Sequence, residues 1–203
     1  MAPDRAARIV AALRLSYFTI AWNGVIGAAA LVVSSITGSA ALAGLALNAL
    51  LDSSASVVLV WRFRRERSDP AAAERLERRA QTWITIAMLL VAAYVGVNGV
   101  RALVGRDHAD ESAFGLALAA VSLLVLPFLG RAKLRVAAAL ASPSLRGDGV
   151  LTLAAAALSG ITLVALAVNA AFGWWWADPA AALLIAAALA VEGVRVAVRH
   201  RFG

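Results

Sequence analysis

Ala40-Ala41-Leu42-Ala43-Gly44-Leu45-Ala46-Leu47-Asn48-Ala49-Leu50-Leu51-Asp52-Ser53-Ser54-Ala55-Ser56-Val57-Val58-Leu59-Val60-Trp61 runs without a break into Arg62-Phe63-Arg64-Arg65-Glu66-Arg67. The first stretch has the ~20 apolar residues that a helix needs to cross a bilayer, and the arginines after it mark where the chain leaves the hydrocarbon. It shows no period-2 alternation, so it does not suit a membrane barrel. In lipid the backbone must satisfy its own hydrogen bonds, which leaves a helix. Asn48, Asp52 and Ser56 recur every four residues and so share one face of that helix, with Ser53 beside them.

The same pattern repeats on both sides. Spans are expected over about 13–35, 40–61, 82–104, 113–129, 148–172 and 179–198. The turn Thr37-Gly38-Ser39 ends the first, and Pro127 lies near the end of the fourth. Between the second and third, the basic stretch Arg62 to Arg79 is broken by Pro70, and Ala71 to Arg79 reads as a short polar helix on the membrane surface. A polar connection, Gly105 to Ser112, carries His108 and three acids; a cytosolic connection is expected from Gly130 to about Gly147. With 62% hydrophobic and 15% charged residues, the chain is too apolar for an ordinary soluble domain. The expected architecture is all-α: a single transmembrane domain over 1–203, a polytopic bundle of six helices.

Positive charge sets the orientation. Six spans place Arg5, Arg8 and Arg14, the seven arginines from Arg62 to Arg79, Arg131, Lys133, Arg135 and Arg146, and Arg195, Arg199 and Arg201 on one side. Of the 19 basic residues only Arg101 and Arg106 fall on the other, offset by Asp107, Asp110 and Glu111. Both termini are therefore expected in the cytosol, with the protein in the inner (plasma) membrane. The Trp174-Trp175-Trp176 cluster suits an outer aromatic belt. Met1 to Arg14 has a basic start but no small-residue cleavage site after its apolar run, so that run reads as a retained helix. The net charge of +7 does not imply nucleic acid, because the arginines cap apolar runs and few aromatics lie among them. Cysteine is absent, excluding disulfides and thiolate ligands. No serine–histidine pairing within a span and no phosphate-cradling glycine loop is present, so enzyme chemistry and a bound cofactor are not expected.

A carboxylate at mid-bilayer costs at least ~2.5 kcal/mol and needs a reason. Oxygen donors one turn apart, as at Asn48 and Asp52, can converge on a cation; alternatively, Asn48 and the serines hydrogen-bond between helices. On the fifth span Asp148 and Thr152 form a second i, i+4 pair. Asp148 is either a helix cap facing the dipole or a ligand. Asn23, Asn98 and Asn169 are weaker candidates. Glu192, three residues before Arg195, reads as half of a surface ion pair. His108 and His200 lie outside the spans.

The stretch Gly38-Ser39 to Asp52 resembles the second helix of the cation diffusion facilitator, or cation efflux, family. There a Gly-Ser pair opens the helix and a metal-binding Asp/His-x-x-x-Asp pair follows; its two positions fall on Asn48 and Asp52. Asp148 and Thr152 resemble the pair on the family's fifth helix, and Gly173-Trp174-Trp175-Trp176-Ala177-Asp178-Pro179 is similar to its turn into the sixth. The resemblance implies a six-span homodimeric exporter of divalent cations, commonly zinc, by proton antiport. It implies Asn48, Asp52, Asp148 and Thr152 as the metal site, with Zn2+ or another divalent ion as cargo. Asn48 stands where the family has an ionisable ligand and Thr152 where it usually has aspartate. Ile26 and Asn98 stand where short relatives often carry acids. The chain reads as a short form lacking the family's cytosolic C-terminal domain.

By helix rise, Asp52 lies about 20 Å and Asp148 about 36 Å from the outer ends of their helices. For the two to meet, the fifth helix must overshoot, tilt or unwind; otherwise Asp148 lines a cytosolic vestibule. Three functions compete: a divalent-cation transporter, a non-transporting scaffold or regulatory partner of the same fold with a degenerate site, and an exporter of another small solute.

Overall fold

Ala- and Leu-rich runs with few interior breakers fold here as long helices. The computed structural model describes residues 3–37, 40–105, 113–174 and 176–202. These form α1 (Pro3–Thr37), α2 (Ala40–Ser68), α3 (Ala73–Gly105), α4 (Ala113–Leu140), α5 (Pro143–Phe172) and α6 (Ala177–Phe202), with one 3-10 turn at Pro70–Ala72. The Gly38-Ser39 pair, Trp175 and residues 106–112, His108 included, lie outside the described residues. Among the described residues, three helical stretches, Arg5–Val33, Ala73–Gly105 and Ala117–Leu140, are long and apolar enough to cross a membrane by length and composition.

Two expected connections are replaced by helix. The sequence between Pro70 and Arg79 forms no separate surface helix: after the 3-10 turn, α3 runs continuously from Ala73. Nor does a cytosolic connection span Gly130 to Gly147. No proline follows Pro127 until Pro143, and the Ala/Leu/Val positions carry α4 on to Leu140. It then closes in two residues. Ala141 N–H bonds to Ala138 O at 3.2 Å and Ser142 N–H to Ala137 O at 3.0 Å, a Schellman closure. Ala141 sits at φ 49°, the left-handed region, which costs a residue with a Cβ roughly 1–2 kcal/mol. Ser142 caps α5, its Oγ accepting Leu145 N–H at 3.3 Å, with Pro143 in the first helical position. Asp148 is therefore not the helix cap; α5 begins five residues before it.

The helices alternate in direction, which cross-helix pairs make plain. Arg5 bonds Glu66, so the start of α1 meets the end of α2. Arg62 bonds Glu77 near the start of α3, and Glu77 accepts Ser144 N–H at the start of α5. Arg8 donates to Ala139 O at the end of α4, and Arg146 pairs with Glu192 late in α6. The beginning of α1 and the end of α6 thus lie at the same end of the bundle. At the other end Gly173 closes α5 at φ 68°, and Trp174 and Trp176 stack at 5.7 Å, both exposed.

α1 packs on α2, α3 on α6, and α4 on α5. The largest core cluster draws on every helix, through Ile9, Leu59, Ile84, Leu140, Leu145 and Leu189 among others. Large apolar side chains such as Leu31, Leu90, Leu124, Phe128 and Leu184 face outward. A bundle in lipid gains little from hiding such side chains and packs instead through small residues and close backbones.

Candidate cation centre

The buried stripe of α2 runs Asp52, Ala55, Ser56, Leu59, Arg62, Phe63 and Glu66. That of α4 runs Ser122, Leu126, Leu129, Lys133, Ala137 and Leu140, and α5 buries Asp148 and Thr152 a turn apart. These faces meet where glycine thins the α4–α5 contact. A Cβ on Gly130 would lie 2.7 Å from the Leu153 side chain, and one on Gly149 would lie 3.3 Å from Lys133 Cβ.

Lys133 joins the site from α4. It was expected in a cytosolic connection; it lies inside α4 and is 0% exposed, as is Asp148. Its Nζ is 2.6 Å from Asp148 Oδ2, 2.9 Å from Thr152 Oγ1 and 3.4 Å from Ser56 Oγ. An ammonium has three N–H donors, and all three find oxygen here. The hydroxyls are oriented to receive them. Ser56 donates its own proton to Asp148 Oδ1 at 3.0 Å, and Thr152 donates to the Asp148 carbonyl at 3.0 Å. Both Asp148 oxygens are thereby engaged.

One turn along α2, Asp52 is also buried. Asn23 on α1 donates from Nδ2 to Asp52 Oδ2 at 2.6 Å. Asp52 Oδ1, by contrast, has no hydrogen-bond partner among the described residues. Asp52 lies within electrostatic reach of both Lys133 and Asp148, so the three form one charge cluster of two carboxylates and one ammonium. The length difficulty between α2 and α5 is eased because Ser56, a turn nearer the Arg62 end than Asp52, makes the contact with Asp148. Asn48 lies one turn before Asp52, but its side chain is outside the described residues, as is that of Asn169. Asn98 is exposed. No group of three His, Cys, Asp or Glu side chains poised to hold a metal occurs among the described residues.

Further along α2, a second charged cluster ties four helices. Arg62, nearly fully buried, bonds Glu66 at 2.9 Å and Glu77 at 2.7 Å; Arg5 reaches Glu66 at 2.6 Å. Glu77 also receives Ser142 Oγ at 3.2 Å and Ser144 N–H at 2.7 Å, joining α3 to the start of α5. Read from sequence, Arg62 was the first residue of a solvated stretch. Its place on the buried stripe, three residues beyond Leu59, is what carries it inward. Glu192 pairs with Arg146 of α5 at 2.9 Å and not with Arg195, because α6 packs that face against α5.

The family model described as the cation efflux transmembrane domain matches residues 16–201. No curated protein matches the chain.

Proposed function

This chain belongs to the cation efflux transmembrane-domain family, and from that premise we propose that it transports a divalent cation through the Asp52–Asp148 centre. The family makes it a membrane protein of a cation transporter family; zinc as cargo, proton antiport and the absence of enzyme activity are our reading. The observation that supports it most is Asp52 Oδ1, a buried carboxylate oxygen with no hydrogen-bond partner among the described residues, in the same charge cluster as a second carboxylate. An oxygen in that position is costly unless something transient fills it. A divalent cation can do so from one side of the membrane and a proton from the other. Asn48, Asp52, Asp148 and Thr152 remain the proposed ligand set, joined now by the Asn23 amide and the Ser56 hydroxyl. Zinc accepts carboxylate oxygen, although this donor set is harder than the usual histidine-containing one.

The test is equilibrium Zn2+ binding by the purified full chain in detergent. Asp52→Asn keeps the volume, removes the charge and is expected to abolish measurable binding; unchanged binding would remove Asp52 from the site. A second reading has one observation in its favour. Lys133 already satisfies Asp148, which suits a non-transporting partner of the same fold.

We also place six spans in the plasma membrane with the Arg62 end of the bundle in the cytosol. The arginines and the shared end of α1 and α6 support this, since cytosolic segments collect positive charge. Reporter fusions within 64–75 should give a cytosolic signal, and a periplasmic signal would refute the orientation. A homodimer is proposed from family membership; native mass measurement in mild detergent should find the pair, and monomer alone at every concentration would dismiss it.

A further inference from the structure

We propose that Lys133 is a tethered stand-in for the transported cation, holding the emptied centre closed and giving way when a divalent ion enters. The proposal rests on the transport reading above and assigns a role to a residue outside the ligand set.

Geometry carries it. The ammonium is held by Asp148 Oδ2, Thr152 Oγ1 and Ser56 Oγ, oxygens drawn from α2 and α5. Asp148, Thr152 and Ser56 are three of the six residues proposed to bind the cation, and Ser56 is one turn from a fourth, Asp52. The Lys133 charge therefore occupies the place that the cargo's charge must take. Two cations cannot share it: at a few ångströms in a medium poorer than water, their repulsion is large. Entry of a divalent ion must push Nζ off Asp148, and the long unbranched lysine side chain has the rotamers to swing aside. Departure of the ion lets Nζ return, so Asp148 is not left as a bare charge buried at 0% exposure.

A static role predicts something different. If Lys133 were only a structural partner, removing it would weaken the fold and leave cation affinity unchanged or poorer. As a competing cation, its removal should tighten binding while weakening the cation-free fold, and added cation should restore that fold.

The experiment is Zn2+ titration of the full chain and of Lys133→Met, with melting curves taken in the presence and absence of Zn2+. Lys133→Gln, which keeps a polar head able to bond Asp148, serves where the methionine variant is too unstable to purify. Either variant should bind Zn2+ about tenfold more tightly or better than the parent, since an adjacent positive charge has gone. Zn2+ should raise the variant's melting temperature more than the parent's. Equal or weaker binding by both variants, with the parent binding normally, overturns the stand-in role and leaves the transport reading intact. No binding by any of the three chains overturns both.

Discussion

Lys133→Met is expected to lower the stability of the cation-free protein by roughly 3–5 kcal/mol, a fall of about 10 °C in melting temperature for a chain of this size. The methionine keeps an unbranched side chain of similar volume, so the packing between α4 and α5 survives. What is lost is the charge. Asp148 is then buried without a counter-ion, with one hydroxyl on Oδ1 and nothing on Oδ2. Ser56 and Thr152 also lose the N–H that they receive. Adding Asp148→Asn to the same chain removes the orphaned charge, and the double variant should regain most of the loss, because a buried ion pair replaced on both sides is often close to neutral. Differential melting in detergent separates these cases. A single variant that melts with the parent would mean that Lys133 and Asp148 are not the isolated buried pair described here.

The bundle was legible in the sequence because its physics is one-dimensional. Apolar run length gives helices, and the arginine clusters give their alternation, which appears as the shared end of α1 and α6. The i, i+4 spacing also put Asp148 with Thr152 and Asp52 with Ser56 on common faces. Two misreadings share one cause: charge was taken as a sign of solvent. Lys133 was assigned to a connection because Arg131 and Arg135 flank it. Yet it lies seven residues from Leu126 and from Leu140, on the stripe of α4 that also buries Leu129 and Ala137, whereas its arginine neighbours point outward. Its being the single lysine in a chain whose other basic residues are all arginine was a second available signal. Arg62 follows the same rule on α2, with Leu59, Phe63 and Glu66 around it. The role of Asn23 was not legible in this way. Ser16, Thr19 and Asn23 share a buried face of α1, but only the packing of α1 against α2 shows that Asp52 is what the amide meets. Sequence alone left Asp148 open between cap and ligand because Ser142-Pro143, the opening of α5, fell inside an expected connection.

The largest functional effect is expected at Asp52. Its Oδ2 is fixed by Asn23 and its Oδ1 has no partner among the described residues, so it offers an entering cation both a held geometry and a second donor oxygen. Asp148 offers less until Lys133 withdraws. Alanine at position 52 removes Oδ1 and the charge together, leaving the Asn23 amide facing a methyl group. The Asp148, Thr152 and Ser56 oxygens are already bonded within the Lys133 cluster. Zn2+ uptake into vesicles reconstituted with the purified chain tests the central claim, that a cation crosses the membrane through the Asp52–Asp148 centre. Vesicles with the parent chain should accumulate Zn2+ above protein-free vesicles, and those with Asp52→Ala should fall to the protein-free level. Uptake by Asp52→Ala at the parent rate, or no uptake by the parent chain, would contradict it.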